Sequence, residues 1–91
     1  MLMKNEKNHW HTYMVRCHDH TLYTGIAKDL DKRLQDHNTG KGAKYTKGRR
    51  PVTLVYAEIF PSRAAAARRE YELKNLTRVA KQKLITPPAV G

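Results

Sequence analysis

Apolar and polar positions alternate over two short segments near the start of the chain, WHTYMVRC at 10–17 and TLYTGI at 21–26, separated by the polar His18-Asp19-His20. Two runs rich in β-branched and aromatic residues around so short a break predict a β-hairpin. With a three-residue loop, Cys17 pairs with Thr21, Val15 with Tyr23 and Tyr13 with Gly25. Tyr13 and Tyr23 then share a face as diagonal neighbours, their Cβ atoms roughly 7–8 Å apart. A two-residue loop would reverse the relative facing, because a one-residue slip moves every side chain to the other side. The pattern then changes period. Asp29 stands at an N-cap position, Asp31 falls in the first turn and Asn38-Thr39-Gly40 supplies a stop, so 29–38 predicts a helix. Leu30, Leu34 and His37 form its apolar stripe, with Arg33 at the edge four residues before His37. The segment KGAKYTKGRR at 41–50 holds five basic residues, two glycines and no acid, and reads as a flexible basic loop.

After Pro51, VTLVYAEIF at 52–60 is almost continuously apolar, the pattern of a strand covered on both faces. Ser62 is a credible N-cap for a helix through the alanine run 64–67, with Ala66, Arg69, Leu73 and Leu76 along one side and Glu70 on its border. Thr77 caps a last helix expected to end before Pro87-Pro88. The order β-β-α-β-α-α with a hairpin start gives the class α+β. No repeat or long linker divides the chain, so a tail at 1–9, a domain at 10–86 and a tail at 87–91 are expected.

Composition narrows the function. The 91 residues carry 18 Lys and Arg against 8 Asp and Glu, a formal charge of +10 and a pI of about 10.1. A chain of this size buries roughly 60–65% of its unfolded surface, enough for one modest core, which excludes a multidomain machine. The charge points to a polyanion, DNA or RNA ahead of a membrane face; of the two, DNA is the expected partner. Cys17 is the sole cysteine, which excludes an internal disulfide framework and a multi-thiolate zinc site. The N-terminal MLMKNEKNHW has no apolar run of secretory length, so a cytoplasmic location is expected.

Tyr13 in the first strand, Tyr23-Thr24-Gly25 in the second, Arg33 and His37 on the following helix, and Glu70 in the alanine-rich helix together resemble the GIY-YIG nuclease superfamily. The stretch LYTGIAKDLDKRLQDHNTGKGAKYT and the later EYELKNLT are especially similar to its small single-domain bacterial members of unassigned function. The resemblance spans 10 to about 84. It implies a small three-stranded antiparallel sheet flanked by helices, phosphodiester hydrolysis with one divalent metal, and Glu70 as the metal-binding glutamate. Two departures are visible. The first motif reads His11-Thr12-Tyr13 in place of Gly-Ile-Tyr, and where the family often has a late Asn this chain has Asn75 early and Gln82 later.

Elementary chemistry gives these residues compatible roles. Phosphodiester hydrolysis needs a water, a base and positive charge on the phosphoryl oxygens. Glu70 is a hard carboxylate suited to Mg²⁺ or Mn²⁺, and Arg33 presents a fork for phosphate. Tyr23 or Tyr13 can act as base if Arg33, Lys28 and a metal stabilise the phenolate, with Tyr23 preferred because it is nearer those cations in sequence. Gly25, opposite Tyr13, leaves room for a scissile backbone. In the loop, Lys41, Lys44, Lys47, Arg49 and Arg50 around Tyr45 fit a phosphate-tracking arm with one stacking ring. His9, His11, His18 and His20 read as non-catalytic. Each candidate alone has an ordinary packing or solvation role, Glu70 with Lys74 at i+4 among them. Their joint order and spacing favour a metal-dependent DNA endonuclease acting on structured or damaged DNA. A nucleic-acid-binding module with a weak or idle nuclease site is the alternative.

Overall fold

The computed structural model describes residues 9–85; the expected tails other than His9, and the Pro87-Pro88 stop, lie outside them. The elements run β1 (Trp10–Arg16), β2 (Leu22–Ala27), α1 (Leu30–Asn38), α2 (Lys44–Lys47), β3 (Thr53–Phe60), α3 (Arg63–Lys74) and α4 (Arg78–Ile85). The fold is α+β, with helices flanking an antiparallel sheet of order β2-β1-β3. The hairpin closes with the Cys17 amide on the Thr21 carbonyl at 2.8 Å, and its register pairs Val15 with Tyr23 and Tyr13 with Gly25, as the three-residue loop requires. Asp19 shapes the turn by accepting from the Thr21 amide and hydroxyl at 3.2 and 2.6 Å, while His20 takes φ of 69°. The His18-Asp19-His20 stretch thus serves turn geometry.

β1 is the strand buried on both faces. Tyr13, Val15, Cys17, Ala27 and Val52 form a core cluster against Leu30 and Leu34 of α1. Thr12, Met14, Ala66 and Leu73 are fully buried as well, and the Thr12 hydroxyl donates to the Ala66 carbonyl at 2.7 Å, tying α3 to β1. The expectation of a doubly covered strand at 52–60 is corrected. β3 lies at the sheet edge with Ala57 exposed and Ile59 58% exposed, because a continuous apolar run does not distinguish a central strand from an edge strand. Glu58 on β3 accepts from Tyr56 and from Arg69 of α3, and Arg69 also reaches Glu72 at 3.0 Å, so the helix side that carries Ala66 and Leu73 holds an ion-pair cluster at Arg69.

The helix starts follow their caps. Asp29, Ser62 and Thr77 accept from the amides of Lys32, Ala65 and Ala80. The segment 41–50, expected as a flexible loop, contains the one-turn helix α2, with Thr46 fully buried. It is fastened at both ends. Asn38 donates to the Val52 carbonyl and accepts from the Val52 amide at 3.1 and 2.6 Å, and Arg49 donates to Asp19 at 3.0 Å. Among the described residues no helix is long and apolar enough to cross a membrane.

Candidate active site

Strand alternation directs Tyr13, Tyr23 and Gly25 to the sheet face that α1 covers. A Cβ on Gly25 would lie 2.7 Å from the Tyr13 hydroxyl and 3.1 Å from the Tyr23 ring. Gly25 therefore makes room for the two tyrosines themselves, which replaces the expectation that its space admits a substrate backbone. The rings lie 6.5 Å apart, and His37, one α-helical turn beyond Arg33, sets its imidazole edge-on to both at 5.9 and 5.4 Å.

Tyr13 and His37 are both fully buried, and every polar atom of the pair is engaged. The Tyr13 hydroxyl lies 2.8 Å from His37 Nε2, and His37 Nδ1 lies 2.8 Å from Thr46 Oγ1. Thr46 in turn donates to the Ala43 carbonyl at 3.0 Å. Arg33 lies near the Tyr13 and Tyr23 hydroxyls, and its pKa is raised, chiefly by the neighbouring Tyr13 oxygen. Burial pushes the Tyr13 phenol above its ordinary pKa; the nearby Arg33 guanidinium opposes that rise, and Tyr23 and Glu70 add to it. Burial, followed by the Arg33 charge, pushes His37 below the usual histidine range. The resting pair near neutral pH is thus a neutral phenol against a neutral imidazole.

Glu70 sits one turn after Ala66, whose carbonyl Thr12 holds, within electrostatic reach of Tyr13. Its carboxylate pairs with Lys74 at 3.0 Å and keeps 24% of its side-chain surface. Among the described residues no group of three or more His, Cys, Asp or Glu is placed to hold a metal ion. A single half-buried carboxylate suits an ion that keeps most of its waters, as Mg²⁺ does, and does not suit a closed zinc site. Lys74 is a weak competitor, since such exposed pairs contribute only about 0.2–1 kcal/mol.

The polyanion-binding candidates divide into two groups. Lys41, Lys44 and Lys47 are exposed. Lys28 is exposed too and lines a shallow groove with Arg33, but its amino group lies 6.0 Å from the Trp10 ring centroid and it is not among the charges that act on Tyr13. Tyr45 stacks on Tyr23 with ring centroids 5.8 Å apart and carries the Arg49 guanidinium 4.1 Å from its centroid. The ring is already engaged in packing, while the residue stays 38% exposed. Arg49 also donates to Asp19 and the Tyr45 carbonyl at 3.0 and 2.8 Å, and Arg50 donates to the Lys47 carbonyl at 2.9 Å. These two arginines, expected on phosphate, thus also fasten the segment. A cleft of about 690 Å³ is lined by His9, His11, Lys28 and Asp31 among others, away from the Tyr13–His37 pair.

Two contributors escaped the sequence reading. Thr46 lies across a loop from His37, and no periodicity links them. A Cβ on Gly42 would lie 2.4 Å from His37 Nδ1 and 2.8 Å from its Cα, so only glycine allows the segment to close on the imidazole. The two glycines in the basic stretch were the only visible signal.

Residues 9–83 match the family model described as the GIY-YIG catalytic domain. A "UPF0213 protein" of Staphylococcus saprophyticus is 57% identical over 74 residues, covering 81% of this chain and 90% of that protein. Its counterpart in Staphylococcus haemolyticus is 53% identical over 75 residues, covering 82% and 92%. Among solved structures, the solution NMR structure of a UPF0213 protein from Bacillus halodurans is 45% identical, with a TM-score of 0.55, covering 85% of this chain and 82% of that one. These names state no activity.

Proposed function

The chain belongs to the GIY-YIG catalytic-domain family, and from that membership we propose that it is a metal-dependent DNA endonuclease acting on structured or damaged DNA. The observation that carries this reading is the buried Tyr13 hydroxyl bonded to His37 Nε2 with Arg33 beside it. Tyr13 takes the role of base that sequence proximity gave to Tyr23, because Tyr13 has a proton acceptor at 2.8 Å. A water attacks the phosphorus and gives its proton to the Tyr13 oxygen as the Tyr13 proton passes to His37 Nε2. The new P–O bond forms, the bond to the leaving oxygen breaks, and that oxygen takes a proton from solvent. Arg33 faces the charge that develops on the phosphoryl oxygens. Tyr23 borders the site and positions the phosphate. Glu70 would hold a Mg²⁺ or Mn²⁺ ion, which when bound adds Lewis-acid stabilisation of the phosphoryl group. Lys41, Lys44 and Lys47 supply salt-sensitive phosphate contacts with little base preference.

The Glu70–Lys74 pair favours a second reading, a nucleic-acid-binding module with an idle site. One experiment separates the two. Duplex, flap, junction and single-stranded DNA and RNA are incubated with Mg²⁺ or Mn²⁺, with EDTA, and with Glu70→Ala. The nuclease reading expects cleavage of at least one irregular DNA, lost with EDTA and in Glu70→Ala while DNA affinity persists. Binding without cleavage across the panel, or near-normal cleavage by folded Glu70→Ala, overturns it.

A further inference from the structure

Thr46 has one proton, and its geometry assigns that proton. The hydroxyl donates to the Ala43 carbonyl at 3.0 Å, a group that only accepts. Toward His37 Nδ1, 2.8 Å away, Thr46 then offers only a lone pair, so Nδ1 carries the ring proton. A neutral imidazole has a single N–H, which leaves Nε2 as an acceptor facing the Tyr13 hydroxyl at 2.8 Å. Gly42 closes over Nδ1 so tightly that a Cβ there would stand 2.4 Å from it, and this leaves Thr46 as the partner of that nitrogen.

We propose that Thr46 is a positioning residue: its hydroxyl, fixed on the Ala43 carbonyl, keeps the His37 proton on Nδ1 and thereby presents Nε2 to Tyr13 as a proton acceptor. The chain runs in one direction, from Tyr13 O–H to His37 Nε2 and from His37 Nδ1–H through Thr46 to the backbone. When Tyr13 gives up its proton, His37 becomes a cation with two N–H groups, and the Thr46 oxygen is already placed to accept from one of them. Its significance for catalysis rests on the reading of Tyr13 as base, whereas the tautomer can be measured without any substrate.

The test uses the full chain, with ¹⁵N-labelled histidine and long-range ¹H–¹⁵N correlation at a pH where His37 is neutral. The expected result in the unmodified protein is a protonated Nδ1 and a pyridine-like Nε2. Thr46→Ser keeps the hydroxyl and should keep that tautomer. Thr46→Val keeps the shape and loses the acceptor, so its spectrum should show the Nε2–H form. In single-turnover cleavage Thr46→Val should lose on the order of 10–100-fold in rate, by analogy with the loss of a group that orients a metal-bound histidine, with substrate affinity unchanged and Thr46→Ser near normal. An Nε2–H tautomer in the unmodified protein overturns the proposal, even if Thr46→Val does not fold. So does an unchanged tautomer, or an unchanged rate, in folded Thr46→Val. If the tautomer shifts as expected but no variant cleaves any DNA, the hold of Thr46 on His37 stands and the nuclease reading falls.

Discussion

At Tyr13, the removal of one oxygen distinguishes proton transfer from packing. Tyr13→Phe keeps the ring in the core cluster, while the hydroxyl bonded to His37 Nε2 and beside Arg33 disappears. Turnover should fall by roughly 10²–10⁴-fold, the range for loss of a positioned general base. Stability should also fall, by about 1–3 kcal/mol, because His37 Nε2 is left buried without a partner. Tyr23→Phe should cost less in both respects. Its ring still stacks on Tyr45, and the residue is only partly buried. Single-turnover rates and denaturant midpoints on the two variants check this ordering, and a larger rate loss for Tyr23→Phe would return the base to Tyr23. That Arg33, His37 and the two tyrosines gather at one place was legible as spacing along the chain. Which tyrosine holds the acceptor was not, because that depends on which hydroxyl the imidazole edge meets in the folded packing.

The secondary elements show why some of the fold could be read in the sequence and some could not. Residues 29–38 announce a helix through Asp29, the Leu30–Leu34–His37 stripe and the glycine beyond it, and each signal has a local physical cause. The four residues of α2 have no such signal. Its buried residue, Thr46, is held by hydrogen bonds to His37 and Ala43, and polar partners leave no hydrophobic period to detect. Similarly, the edge position of β3 follows from strand order, which the apolar run 52–60 does not encode. The closeness of α2 to α1 leads to a paired prediction at two glycines of one loop. Gly42→Ala must push its Cβ against His37 Nδ1 and Cα at 2.4 and 2.8 Å, so it should destabilise the fold by about 1–3 kcal/mol, as overpacking does. At Gly48 a Cβ meets nothing within 4 Å and φ is −94°, so Gly48→Ala should be neutral or stabilising by about 0.4–1 kcal/mol. Thermal unfolding of both variants decides whether α2 is closed on His37 in solution; equal midpoints would mean that it is not.

On the scale of the whole molecule, a formal charge of +10 draws the protein toward any polyanion, but net charge and contact charge have different experimental signatures. Counterion release counts the phosphates actually neutralised, so the slope of log K against log[salt] reports contacts, changing by about 0.9 for each one lost on duplex DNA. Two pairs of lysines on different parts of the surface separate the quantities. Lys44 and Lys47 lie on α2 beside the Tyr13–His37 site, whereas Lys81 and Lys83 lie on α4. Replacing either pair with glutamine removes the same two charges. If the segment at 41–50 tracks the phosphate backbone past the site, Lys44→Gln with Lys47→Gln should lower the slope by nearly 2, while Lys81→Gln with Lys83→Gln should leave the slope close to its original value. Arg49 is unsuitable for such a comparison, because its contacts with Asp19 and Tyr45 make any substitution a change in the structure of the segment as well as in charge. Titrations against one duplex at four or more salt concentrations are sufficient. Equal changes in slope for the two pairs would mean that the DNA follows the overall field of the protein, and the α2 lysines would lose their place in the binding surface.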